Sequence, residues 1–145
     1  MKQKSTLRTV TGIIVLVVIV FAKLPRYHTF REKDFDIEVN AYYTYEIESS
    51  ASSEVRVKLN SSNGNFDAYL VDESQMKIVE QWMQSEDTVQ PVFDTIAKWE
   101  NTNSVERKGI VVPKGLFYLV MDNSSLGPAV SDSNVLVSME LAEKY

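Results

Sequence analysis

Short runs in which apolar and polar residues alternate constrain the fold of this chain more than any other feature. The clearest is the run EVRVKL, in which Val55, Val57 and Leu59 fall on one face of an extended strand. Similar runs occupy Phe35–Val39, Tyr42–Ile47, Val105–Val112, Leu116–Met121 and Asn134–Leu141. Because turn residues separate these runs, the sequence predicts an all-β fold, an antiparallel, jelly-roll-like β-sandwich of seven or eight strands.

Two segments about fifty residues apart echo each other, NGNFDAYLVDES at Asn63–Ser74 and KGLFYLVMDNSS at Lys114–Ser125. Each begins with a glycine turn, continues through aromatic and apolar residues, and ends in acidic and small polar residues. Asn-Gly between two alternating runs favours a tight hairpin, so we expect EVRVKLN and FDAYLVD to pair antiparallel. The sequence Pro113-Lys114-Gly115 predicts a second turn.

The stretch DESQMKIVEQWMQ has a different pattern, since its apolar residues recur at three- and four-residue spacing. This spacing predicts one short amphipathic helix packed over the end of a sheet. Asp72 and Ser74 are both suited to cap its amino terminus. The following segment, Pro91–Trp99, is compatible with a strand or with a turn of helix.

Four large side chains in and after this stretch are candidate partner-binding residues: Met76, Trp82, Met83 and Trp99. Tryptophan and methionine are enriched where proteins dock on one another. The alternative is that these side chains cap the core of the sandwich. The sequence alone leaves both interpretations open.

The amino-terminal segment Val10–Ala22 is apolar and uncharged, and it follows a basic tail. It predicts a single transmembrane helix with its amino terminus in the cytoplasm and the body outside the cytoplasm. The alternative is a cleaved signal peptide with a cleavage site after Ala22, which would give a secreted or periplasmic protein. Both interpretations place the body across a membrane. We therefore divide the chain into an anchor or signal peptide with a basic connector (residues 1–33) and a sandwich domain (residues 34–145).

The distribution of charge argues against nucleic acid as a partner. Residues 1–23 hold four of the 15 basic residues and none of the 20 acidic ones, which leaves a formal charge of −9 from Leu24 onward. Phosphate binding needs clustered Lys and Arg. The chain has no cysteine, so disulfides, thiolate catalysis and cysteine zinc sites are excluded. The single histidine, His28, is interpreted as an interfacial residue of the connector.

Four aspartates are predicted at strand ends: Asp67, Asp72, Asp122 and Asp132. Calcium needs six to eight oxygen ligands, and the turn LNSSNGNFD does not match the calcium-loop pattern. We interpret these aspartates as turn and cap residues. The sequence also lacks a nucleophile elbow, a phosphate-binding glycine loop and a dinucleotide fingerprint. It therefore predicts no catalytic residue, no metal and no cofactor.

The body resembles the GOLD-type β-sandwich of Golgi-trafficking receptors and lipid-transfer proteins, and it is similar also to pre-peptidase carboxy-terminal domains. The matching positions are Gly64, Asp67, Tyr69, Leu70, Asp72, Gly115, Tyr118, Leu119, Asp122 and Asn123. The resemblance implies a non-catalytic module for protein–protein or membrane-associated interaction. The chain departs from the receptors in lacking their cysteine pair and in carrying its apolar segment before the sandwich, so cargo-receptor function does not transfer.

These observations lead to three functional hypotheses. The first is a membrane-tethered, extracytoplasmic binding module or accessory subunit of an envelope complex, whose partner is another membrane or envelope protein or a second copy of the chain. The second is a secreted or periplasmic domain that binds carbohydrate or calcium, with Tyr42, Tyr43 and Tyr45 as contact residues. The third is a carboxylate-based hydrolase, which needs two converging acidic side chains.

Overall fold

The computed structural model describes residues 27–85, 89–129 and 131–144 of the 145-residue chain. The predicted transmembrane or signal segment, Val10–Ala22, lies outside these residues. Within the described ranges, no helix has both the length and the apolar character needed to cross a membrane.

Within the same ranges the chain forms eight strands and one helix. The strands are β1 (Tyr27–Ile37), β2 (Tyr42–Ser49), β3 (Ser53–Ser61), β4 (Phe66–Asp72), β5 (Ala97–Thr102), β6 (Ser104–Val112), β7 (Gly115–Asp122) and β8 (Val135–Lys144). The helix, α1 (Glu73–Gln84), follows β4 directly. The predicted short amphipathic helix is therefore confirmed.

The strands form two four-stranded antiparallel sheets. Sheet 1 has the order β1-β8-β3-β6, and sheet 2 has the order β2-β7-β4-β5. The first strand pairs with the last, the second with the seventh, the third with the sixth and the fourth with the fifth. This nested pairing is the one expected of two Greek keys folded into a jelly roll. The predicted all-β sandwich is confirmed.

The main core lies between the two sheets and is built from alternate residues of their strands. In β3 the buried residues are Val55, Val57 and Leu59, as the period-two pattern predicts. Sheet 2 contributes the largest fully buried side chains, Phe66 and Phe117. Burial of this apolar surface is the main force that holds the sheets together.

The predicted hairpin between EVRVKLN and FDAYLVD is wrong, because β3 belongs to sheet 1 and β4 to sheet 2. Neither Asn63 nor Gly64 has the positive φ that a type I′ turn requires. Asn63 instead bonds to the start of β8, donating from Nδ2 to the Asn134 carbonyl (2.9 Å) and accepting at Oδ1 from the Leu136 N–H (2.8 Å). The Asn-Gly pair therefore makes a crossing between sheets.

Two other boundaries differ from the sequence-based ones. β1 begins at Tyr27 rather than near Asp34, so part of the predicted basic connector is an edge strand paired with β8. Residues 89–96 are irregular, and β5 begins at Ala97. Charged residues along β1 hid its strand character, which comes from pairing with β8 rather than from burial of both faces.

Candidate functional site

The outer face of sheet 2 carries a second apolar cluster, apart from the main core. Its buried residues are Tyr69, Val71, Met76, Val79, Val120 and Leu126. α1 packs on β4 and β7, and the connection after β7 adds Leu126. Strand β4 is therefore buried on both faces, which explains its nearly continuous apolar sequence.

The start of α1 is fixed by Asp72, which is its N-cap. The Asp72 carboxylate accepts a hydrogen bond from the Gln75 N–H (2.9 Å) and another from the Ser74 hydroxyl (2.6 Å). These bonds favour the charged form, and they lower the pKa of Asp72. Of the two capping residues that the sequence offered, Asp72 is thus the cap and Ser74 supports it.

The structure does not bring the four predicted partner-binding residues together on one surface. Met76 is only 3% exposed and belongs to the second cluster. Trp82 and Met83 are half-buried at the end of α1, against the same cluster. Trp99 lies on β5 and packs against the main core, on the opposite face of sheet 2. Only Trp82 and Met83 therefore remain near a common exposed surface.

Two exposed valines lie in the described part of the segment between α1 and β5. Val89 is 71% exposed and Val92 is 95% exposed. The indole Nε1 of Trp82 donates to the Val89 carbonyl (2.7 Å), which ties the segment to the helix. We name Trp82, Met83, Val89 and Val92 the α1 patch. Neither valine was singled out from the sequence, because the apolar residues of this segment follow neither a helical nor a strand periodicity. Apolar residues in such a non-periodic segment beside a proline could have indicated an exposed loop.

The three tyrosines proposed as carbohydrate contacts do not form one platform either. Tyr42 packs against the second cluster, on the outer face of sheet 2. Tyr43 and Tyr45 point to the other face and pack against the main core. Lys33 and Arg31 lie over their rings, with the charged atoms 5.5 Å and 5.7 Å from the ring centres. These contacts close the edge of the sandwich between β1 and β2.

A pair of buried aspartates lies at the end of sheet 2 away from the start of α1. Asp67 on β4 is directly opposite Asp122 on β7, and neither side chain is exposed. Asp67 accepts the Asn101 N–H at Oδ1 (2.6 Å) and the Ala129 N–H at Oδ2 (2.8 Å). Asp122 accepts the Ser124 N–H (3.1 Å) and hydroxyl (2.5 Å) at Oδ1. Its Oδ2 is buried and makes no hydrogen bond of normal length to a described residue, although a weak interaction between the Gly127 backbone N–H and the Asp122 carboxylate lowers the pKa of this side chain slightly.

This burial disfavours the charged forms of both side chains. It raises the pKa of Asp122 to about 6, and the negative charge of Asp67 adds to the effect while the bonds from Ser124 oppose it. Burial also raises the pKa of Asp67, although its two backbone hydrogen bonds act in the opposite direction. Burial and the neighbouring carboxylates raise the pKa of Tyr69. Across residues 27–85, 89–129 and 131–144, no basic side chain forms a salt bridge with either aspartate.

The aspartates thus act largely as predicted, since Asp67, Asp72 and Asp122 each accept backbone N–H groups. What the sequence did not reveal is that Asp67 and Asp122 meet. Asp67 lies near the start of the first echoed segment and Asp122 near the end of the second. These positions could have indicated the contact, because antiparallel pairing brings the start of one strand next to the end of the other. Asp132 is exposed.

The described residues do not assemble the other sites weighed from the sequence. They contain no group of three acidic or histidine side chains that could hold a metal ion. His28 is exposed on β1, opposite Glu143 on β8. No protein-family model matches this chain, and a search of curated proteins finds no match. The α1 patch and the aspartate pair are therefore the two candidate functional features among the described residues.

Proposed function

We propose that this chain is a non-catalytic, membrane-tethered β-sandwich that stands outside the cytoplasm and binds another protein of the same membrane through the α1 patch. The observation that carries the proposal is the exposure of Val89, whose carbonyl accepts the indole N–H of the half-buried Trp82, and of Val92 three residues further along the chain. Apolar side chains clustered at one exposed site favour protein association, and tryptophan is a frequent anchor in such interfaces.

The charge around the patch favours a protein over a lipid surface. The helix carries Glu73 and Glu80 against one lysine, Lys77, and Asp94 and Glu100 line the adjacent groove against one lysine, Lys98. An acidic rim is repelled by anionic headgroups and is complementary to a basic rim on a partner. The partner that fits is a protein with an apolar centre and basic residues around it.

The proposed tether is short. The apolar run ends at Ala22, and β1 begins at Tyr27, so even a fully extended connection spans only about 18 Å. Such a connection holds the sandwich near the bilayer surface, where it meets the extracytoplasmic parts of other membrane proteins. The proposed relation to GOLD-type sandwiches is consistent with this non-catalytic role.

Site-specific photo-crosslinking in intact membranes tests the proposal. A benzophenone amino acid replaces Val92 in one variant and Val111 in the other. Val111 is a matched control because it is also an exposed valine (62%) but lies on β6 in sheet 1. We expect one protein adduct at position 92 that is missing at position 111, and mass spectrometry should identify it as a different membrane protein.

The other outcomes contradict the proposal in distinguishable ways. A lipid adduct at position 92 makes the patch a membrane contact, and an adduct with a second copy of the chain makes it a homo-oligomer interface. Equal adducts at both positions indicate non-specific collision. If the protein, expressed from the full-length sequence, is recovered in the soluble fraction without residues 1–22, the tether is refuted but the patch is not.

A further inference from the structure

The connection that covers the aspartate pair, residues 123–129, is positioned by the two carboxylates beneath it. The Asp67 carboxylate bonds to the Ala129 N–H, near the end of this loop, and the Asp122 carboxylate bonds to Ser124, near its start. Gly127 lies directly above the pair, and a side chain there would overlap Asp67 and the Tyr69 hydroxyl. The loop and the pair therefore pack as one unit.

Two like charges at such a short separation, with no cation among the described residues to balance them, are unstable as a doubly ionised pair. Partners on adjacent antiparallel strands have Cβ atoms about 4.5–5.5 Å apart. Asp122 Oδ2 makes no hydrogen bond of normal length within residues 27–85, 89–129 and 131–144, so it has a position free to carry a proton. The closed loop thus favours a state in which the pair carries one proton.

We propose that Asp67 and Asp122 form a proton-dependent latch, which holds the 123–129 loop closed when the pair carries one proton and releases it when both carboxylates ionise. The inference concerns the fold itself and stands whether or not the α1 patch binds a partner. It extends to the segment beside the patch, because Gln90 donates to the Ser125 carbonyl (3.0 Å) and Leu126 lines the same groove as Phe93.

The ionisable groups around the pair do not supply a counter-charge. They are Tyr69 on β4, Lys98 and Glu100 on β5, Tyr42 opposite Asp122 on β2, and Glu80 on α1 near Tyr42. Lys98 is the only base in this set, and its Nζ pairs with Glu100 at 3.3 Å. The tyrosines stay neutral because burial raises the pKa of each. The pair itself is therefore the titrating element.

The direction of the pH effect follows from the raised pKa of Asp122. A carboxyl with a pKa of about 6 in the closed loop and 3.8 when exposed binds its proton more tightly in the closed state. The stabilisation is complete below pH 3.8 and disappears as the pH rises through 6. Over the full titration the difference between 3.8 and about 6 corresponds to roughly a 160-fold change in the opening equilibrium of the loop.

Hydrogen exchange of the full chain in detergent, at pH 5.0 and pH 7.5, tests the latch. Protection factors, corrected for the intrinsic exchange rate, are compared at the amides of Leu126 and Ala129 and in the core of β3. We expect the loop amides to lose about tenfold protection at the higher pH while β3 amides do not change, because a carboxyl with a pKa of about 6 is already partly ionised at pH 5.0. Asp122→Asn should make the loop protection independent of pH, and Asp132→Asn, at an exposed aspartate of the same connection, should leave the effect intact.

Several results would overturn the latch. One is equal loop protection at both pH values in the wild-type chain, and another is a pH effect that persists in Asp122→Asn. A third is restored protection at pH 7.5 on adding calcium chloride, because a cation would then balance the charges. Should Asp122→Asn fail to fold, carboxyl ¹³C NMR of the wild-type chain decides, since an Asp122 pKa below 4.5 contradicts the proposal.

Discussion

At the scale of single residues, Gly127 and the two aspartates beneath it show how closely the second layer over sheet 2 is packed. Gly127 is required for close approach and not for an unusual backbone angle, since its φ is not in the left-handed region. No alternation pattern reveals such a requirement, because it arises from the contact of a loop with two strands. The Asp72 cap, by contrast, is local in sequence and was predictable.

We predict that Gly127→Ala destabilises the protein by about 1–3 kcal/mol, because the methyl group overlaps the Asp67 carboxylate and the Tyr69 hydroxyl. Chemical denaturation followed by far-UV circular dichroism measures the change. Ser125→Ala is the control, since the Ser125 side chain is exposed in the same loop. Equal stability of both variants would show that the loop does not press on the pair.

At the scale of elements, α1 depends on its first turn. We predict that Asp72→Ala lowers the unfolding free energy by about 1 kcal/mol at pH 7. The pKa of Asp72 is lowered in the folded state, so the contribution of its charge is present above pH 3.8 and is lost as the pH falls through the folded pKa. The difference between wild type and variant should therefore shrink in acid. Asp72→Asn retains an oxygen acceptor and should keep most of the stability. This variant therefore distinguishes the contribution of the capping hydrogen bond from that of the negative charge.

The crossing at Asn63 explains why one element-level prediction was wrong. Asn-Gly favours a hairpin when no other partner competes, but here β3 is already paired with β8 on one side and with β6 on the other. A strand far away in sequence therefore overrode the local signal. The alternation of apolar and polar residues was enough to predict which segments are strands. It could not predict which strands pair with each other, because that pairing depends on the burial of β4 on both faces.

The crossing has its own test. A type I′ turn tolerates glycine at its first central position, whereas the observed crossing uses both ends of the Asn63 amide. We predict that Asn63→Gly destabilises the fold by about 1–3 kcal/mol beyond the effect of Ser62→Gly, which adds the same backbone freedom next to it. Thermal and urea unfolding of the two variants provide the comparison. Equal losses would contradict the crossing.

At the scale of the whole molecule, the main core draws side chains from both sheets, and α1 is attached to one of them. We predict that residues 27–144, expressed without the first 26, unfold in a single cooperative transition. Far-UV circular dichroism and tryptophan fluorescence should then give the same midpoint. Trp82 reports on the outer cluster and Trp99 on the main core. An earlier fluorescence transition would show that the outer layer melts separately.

The nested strand pairing also fixes an order in time. The central strand β8 joins β1 to β3 in sheet 1, yet it is the last strand to be synthesised. Sheet 2 has all its strands once Asp122 has emerged, whereas β1 has no partner until Val135–Lys144 arrives. The first strand to follow the proposed membrane segment must therefore wait unpaired through the synthesis of nearly the entire body. During that interval its charged residues protect it from pairing with other chains.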